Sequence, residues 1–151
     1  MEQYDSQMAA RVWQRVQNIS TAPDLPSVLL PLLKEETEDS ALYRHLANGQ
    51  NKENAAIGRK LMMISQSCVH ILRGIYDLTT GTFPEPLPVQ AVQTASPLRH
   101  CYRRSLQRGI QYSQQRSHTE YGCAFGHLEE LTKQRCILLL QWISNTKGGS
   151  R

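Results

Sequence analysis

Apolar residues return at spacings of three and four through most of the chain, the period of an amphipathic α-helix. Residues from about Asp5 to Ile19 carry Met8, Val12, Trp13 and Val16 at this spacing. They predict a short helix whose apolar side packs across one end of a larger body. Ser20-Thr21-Ala22-Pro23-Asp24-Leu25-Pro26 is a breaker cluster, after which a first bundle helix runs to about Ala47, with Pro31 in its first turns or kinking it. Its face carries Leu29, Leu32, Leu33, Glu36, Ser40, Tyr43 and Ala47, and Asn48-Gly49-Gln50-Asn51 ends it as a tight turn. A second helix, about Glu53 to Thr79, places Ile57, Leu61, Ile64, Cys68, Ile71, Ile75 and Leu78 at alternating spacings of four and three, a regularity that predicts packing along the whole length.

The proline-rich run from Thr79 to Pro88 and the polar stretch to Pro97 predict a long crossover, which lets the second and third helices run parallel. The third helix, about Ser96 to Arg116, turns Leu98, Cys101, Tyr102, Ser105, Gly109 and Tyr112 to one side. The fourth, about Glu120 to Ser144, does the same with Phe125, Leu128, Thr132, Arg135, Leu139 and Trp142. No stretch alternates with period two for long enough to be a strand. The expectation is an all-α chain divided into an N-terminal helix and linker (1–23), a four-helix bundle (24–145) and a polar, disordered tail (146–151).

Within this pattern Glu36 is out of place. It sits in the middle of an apolar stripe, where a lone ionised carboxylate is expensive unless it binds a metal or meets a positive partner.

Composition changes the picture little. With 151 residues, 40% apolar and 20% charged, the chain suits one compact domain with a real core. The net charge of +4 comes from scattered residues. Its densest basic group is Arg103, Arg104 and Arg108, which lacks interleaved aromatics and reads as a solvated helix face, not a nucleic-acid patch. The cysteines Cys68, Cys101, Cys123 and Cys136 form no CxxC pair, which excludes a zinc ribbon or a thioredoxin-like motif. With no leader segment and no run of about 18 apolar residues, the expectation is a cytoplasmic protein with reduced thiols and no membrane partner.

The helices repeat. The third laid on the first matches Leu29, Glu36 and Tyr43 with Leu98, Ser105 and Tyr112. The fourth laid on the second matches Leu61, Ser65, Cys68, Leu72 and Ile75 with Leu128, Thr132, Arg135, Leu139 and Trp142 at one constant offset. The chain reads as two related helical hairpins. In this layout, together with Glu36, Tyr43 and Leu46-Ala47, the run Leu72-Arg73-Gly74-Ile75-Tyr76-Asp77-Leu78-Thr79-Thr80-Gly81, and Leu98-Arg99-His100-Cys101-Tyr102 with Tyr121-Gly122-Cys123-Ala124-Phe125, it resembles the ferritin-like superfamily. Within that group the likeness is to the small rubrerythrin-related bacterial domains, and it covers roughly Asp24 to Trp142.

The resemblance implies a ferritin-like four-helix bundle, a homodimer, and a di-iron site built from a Glu on the first and third helices and Glu-x-x-His on the second and fourth. Carried over position by position, the ligands fall on Glu36, on Ser65 and Cys68, on Ser105, and on Thr132 and Arg135, so five of the six are replaced. Shifting the second helix by two would put Ser67 and His70 in the ligand positions, but His70 lies about 130° from the centre of the apolar face. Hydroxyls are poor iron ligands, and Arg135 brings a permanent positive charge.

The leading expectation is a buried Glu36–Arg135 ion pair where relatives hold metal, completed by hydrogen bonds from Ser65, Ser105 and Thr132. The other is an Arg135 that snorkels outward over a protonated or hydrated Glu36. Functionally, the first reading is a non-catalytic structural or interaction module with no cofactor. The alternative is an iron-handling or oxidoreductase protein with an altered site, Glu36 and either Cys68 or His70 being its first ligands. Cys68, Cys101 and Cys136 lie on or beside core faces and read either as inert small apolar residues or as redox thiols. Tyr43, Tyr102 and Tyr112 face inward as core side chains. His100, His127, Glu129 and Glu130 read as solvent-facing.

Overall fold

Helix boundaries follow local chemistry in a computed structural model that describes residues 7–11 and 24–149, apart from 87 and 92. Helix α1 (Leu25–Ala47) starts with Pro26 in its first turn and continues through Pro31. Gly49, at φ 75°, makes the turn that follows. Helix α2 (Lys52–Thr80) is capped by Asn51, whose side chain accepts from the Asn54 backbone N–H. It ends at Gly81, at φ 82°, with the Gly81 N–H bonded to the Asp77 carbonyl. Helix α3 (Pro97–His118) opens on a proline, and helix α4 (Gly122–Gly149) follows after three residues. Every regular element among the described residues is helical. Residues 7–11 are helical and exposed; Val12, Trp13 and Val16 of the expected N-terminal helix lie outside the described residues.

Short turns make α1/α2 and α3/α4 antiparallel hairpins, and the core shows how these meet. At one end Leu29, Leu32 and Leu33 of α1 cluster with Cys68, Leu72 and Ile75 of α2, Tyr112 of α3, and Phe125 and Leu128 of α4. At the other, Tyr43, Ile57 and Leu61 cluster with Cys101, Leu139 and Trp142. The start of α1 therefore lies by the end of α3, and α2 and α3 run the same way, as the long crossover predicts. That crossover leaves Gly81 with the Arg73 guanidinium 5.4 Å over the Phe83 ring. It runs along the outer α1/α2 groove, with Pro84 and Pro86 beside Leu33 and Val69, and Val89 beside Ala41 and His70.

Two expectations are corrected. Leu78 faces outward, 71% exposed, and Leu72 is in the core instead. A strict seven-residue repeat drifts by about 20° per heptad on a straight helix, so three heptads from Ile57 carry position 78 off the buried stripe. The C-terminal segment also does not stop at Ser144: α4 continues through Gly149. Asn145 donates to Glu53 Oε1 and Asn54 Oδ1 at the start of α2, and Thr146 caps back onto the Trp142 carbonyl. Residues 146–149 are helical where a disordered tail is the sequence expectation; residues 150 and 151 lie outside the described residues.

Candidate functional site

Each helix sends two residues, one i, i+3 pair, into the centre of the molecule: Glu36 and Asp39, Ser65 and Cys68, Ser105 and Arg108, Thr132 and Arg135. All eight are buried. Residues three apart share a helix face, so four helices packed around one axis converge these side chains at mid-length, between the two apolar clusters.

Glu36 is the hub. Arg135 Nη1 donates to its Oε1 at 2.7 Å, and Arg108 Nε lies 2.6 Å from the same oxygen. The Arg108 contact is one of charge, because its Nε–H is not aimed at that oxygen. Tyr112 Oη donates to it at 3.4 Å. Arg108 Nη2 donates to Asp39 Oδ2, and Arg135 Nη1 lies 3.7 Å from that atom. Two guanidiniums and two carboxylates thus balance in charge inside the bundle. Around them is a largely buried layer: Arg104 Nη2 donates to Glu38 Oε2 at 3.0 Å, and the more exposed Glu35 lies 3.5 Å from Arg108 Nη1 and 3.6 Å from Arg104 Nε.

The protonation states follow from this arrangement. Burial alone would push the Glu36 carboxyl up, but Arg108 and Arg135 outweigh it and hold it below the usual carboxylate range. Burial disfavours both cations as well, yet Glu36, with Asp39 for Arg108, keeps them charged far above neutrality. Burial first, and nearby Glu36 second, push the Cys68 thiol up to about 12. Burial and then Asp39 do the same for Cys101, also to about 12. Tyr43 and Tyr112 are raised well above their ordinary value, chiefly by burial. No thiolate or phenolate is held ready at neutral pH in this centre.

Glu36 and Arg135 do meet, and Arg135 does not snorkel, being fully buried. The supporting hydrogen bonds differ from those expected. Thr132 Oγ1 accepts from Arg135 Nη2 at 3.4 Å and donates to the Leu128 carbonyl, whereas Ser65 Oγ and Ser105 Oγ have no hydrogen-bond partner. Cys68 Sγ accepts from Arg135 Nη2 at 3.4 Å instead.

The largest correction concerns the basic group on the third helix. Arg103 is exposed, but Arg104 is half-buried and Arg108 is fully buried. Arg108 lies on the stripe Leu98-Cys101-Ser105-Arg108-Tyr112, whereas the expected inward residue, Gly109, is one position off it. Two signals mark the position: the 3-4 spacing, and the repeat offset that aligns Arg108 with Asp39. Asp39 itself is found by the same i, i+3 rule from Glu36. Elsewhere, Ser67, His70, His127 and Glu130 are exposed. His100 is half-buried with its Nε2 enclosed and unpartnered, not solvent-facing. Glu129 lies 3.1 Å from Arg116. Cys136 is half-buried and Cys123 exposed.

The centre does not fit a pair of divalent metals. Its two carboxylates already face guanidiniums, its neutral groups are hydroxyls and a protonated thiol, and the only histidine considered as a ligand, His70, is on the surface. Among the described residues no group of three or more His, Cys, Asp or Glu could hold a metal ion, and no helix is long and apolar enough to cross a membrane. Compared with protein-family models, curated proteins and solved structures, the chain matches none.

Proposed function

We propose that this chain is a ferritin-like bundle in which two arginines take the central positions that metals take in that fold, and that it serves as a non-catalytic structural or interaction module. The observation that carries this reading is the convergence of Arg108 and Arg135 on one oxygen of Glu36. Two fixed cations on the only family-type ligand carboxylate satisfy its charge. The arrangement of two antiparallel hairpins, with α2 and α3 running the same way across a long connection, supports the ferritin-like part of the reading. The reading as a non-catalytic module is supported by the chemistry of the centre. Its nucleophiles are buried and protonated, and its charges are spent on one another.

Anaerobic incubation of the purified chain with Fe(II), followed by desalting and metal analysis, tests it. The expected result is no stoichiometric iron in either wild type or Glu36→Ala. Stoichiometric iron in wild type that disappears in Glu36→Ala would overturn the reading and favour an iron-handling protein with an altered site.

A further inference from the structure

The outer groove between α3 and α4 has a volume of about 660 Å³ and a mostly apolar lining, within the roughly 300–1,000 Å³ typical of small-molecule sites. Helical spacing separates its ridges from its floor. Leu106 and Ile110 of α3 and Ile137 of α4 stand up on either side, 46%, 61% and 66% exposed. Between them run Ser105 and Gly109 of α3 and Thr132 and Cys136 of α4, each pair four residues apart on one helix face and none of them large. Gly109 keeps the furrow open: a Cβ there would lie 3.5 Å from Thr132 Cγ2, so a larger side chain would fill it.

The floor reaches the central layer of the bundle, where Ser105 is 0% and Thr132 2% exposed. The two hydroxyls differ in one respect. Thr132 Oγ1 donates to the Leu128 carbonyl and accepts from Arg135 Nη2, whereas Ser105 Oγ has no hydrogen-bond partner in the protein. A buried hydroxyl without a partner has given up its bonds to water, and a ligand oxygen entering along the floor would restore one. The charges around the groove are already matched. Lys133 lies 3.2 Å from Glu130 and 3.9 Å from Glu129, Glu129 lies 3.1 Å from Arg116, and in the central layer Arg108 and Arg135 face Glu36 and Asp39. A charged headgroup would lose hydration here without gaining an opposite charge.

We propose that this groove is a binding site for a small neutral molecule with an apolar body and one hydroxyl group, the body lying between the ridges and the hydroxyl meeting Ser105 Oγ. This inference goes beyond the proposed function and does not depend on the metal question. The exposed apolar area of Leu106, Ile110 and Ile137 is the surface such a body covers. One unpartnered hydroxyl under a mostly apolar lining is the combination that gives a small-molecule site its orientation and its specificity.

Calorimetric titration of the full chain at neutral pH with 1-naphthol, naphthalene and 1-naphthoate, which share one ring system and differ in the head, tests the proposal. The expected order has 1-naphthol tightest, by about tenfold over naphthalene, the size of one net hydrogen bond, and by at least as much over 1-naphthoate. Ser105→Ala removes a hydroxyl that holds nothing in the protein, so the fold is expected to persist. It should bring 1-naphthol down to the affinity of naphthalene and leave naphthalene unchanged. Gly109→Leu should weaken both at least about tenfold, and circular dichroism verifies the fold of each variant. Saturating 1-naphthol should also slow thiol labelling of Cys136 on the groove floor and leave the exposed Cys123 unaffected. Equal affinity for the three probes, or a 1-naphthol Kd unchanged in both variants, overturns the proposal. A wild-type chain that binds none of the probes and sediments as a dimer overturns it in favour of a protein occupant.

Discussion

Asp39 and Arg108 occupy the same position in the two hairpins and bind each other across the centre of the bundle. The repeat offset that aligns Glu36 with Ser105 aligns these two, and the offset between α2 and α4 likewise aligns Cys68 with Arg135, which are also in contact. Equivalent positions meet because a pseudo-two-fold axis passes between them. In a symmetric arrangement each would face its own kind. Here the two positions differ, acid against base, and form an ion pair instead of a like-charge contact. Glu36 then ties both arginines together.

This network predicts strong non-additivity. Glu36→Leu leaves two buried guanidiniums sharing Asp39 and is expected to cost on the order of 3–5 kcal/mol. Glu36→Leu combined with Arg135→Leu removes one charge of each sign and leaves Arg108 with Asp39. It is expected to cost well below the sum of the single changes, as read from urea unfolding of the four species.

Stability is expected to fall in acid through Glu36. Its folded pKa lies below the ordinary 4.5, so its contribution is fully present above that value and is lost as pH falls through the folded pKa. Urea midpoints measured from neutral pH downward will show a shallower acid decline in Glu36→Gln than in wild type. Equal declines would remove Glu36 from the acid response.

Thiol accessibility should sort the cysteines by depth. At neutral pH a thiol reagent is expected to label Cys123 quickly, the half-buried Cys136 more slowly, and Cys68 and Cys101 only after denaturation, since burial holds both near 12. Peptide mass mapping after timed labelling reads this out. Rapid native labelling of Cys68 would argue for a reactive thiol in the core.

Two glycine replacements in α2 should act in opposite directions. A Cβ at Gly58 would lie 2.7 Å from the Ala47 Cβ and 3.4 Å from the Trp142 ring, so Gly58→Ala is expected to lower the Tm by forcing α1 and α4 away. A Cβ at Gly74 meets nothing within 4 Å, so Gly74→Ala should stabilise by up to about 1 kcal/mol through helix propensity. Thermal melts of both variants check the pair.

The sequence by itself determined the helices, their pairing into hairpins, the long connection, and the inward direction of Glu36 and Arg135. These follow from 3.6-residue periodicity, breaker residues and an internal repeat, all local properties of the chain. Only the tertiary structure decided which charges were buried. A helical wheel gives a direction, not a depth. Arg108 and Gly109 lie about 100° apart on it, either side of the Ser105–Tyr112 direction, and a long arginine can end in solvent or in the core. What settles the matter for Arg108 is a pair of carboxylates, Glu36 and Asp39, on a helix 69 positions away in the repeat. Those carboxylates are tolerable inside the bundle only because Arg108 and Arg135 reach them. The same holds for the two outer grooves: the crossover lies along the α1/α2 groove, and no described segment lies over the α3/α4 groove.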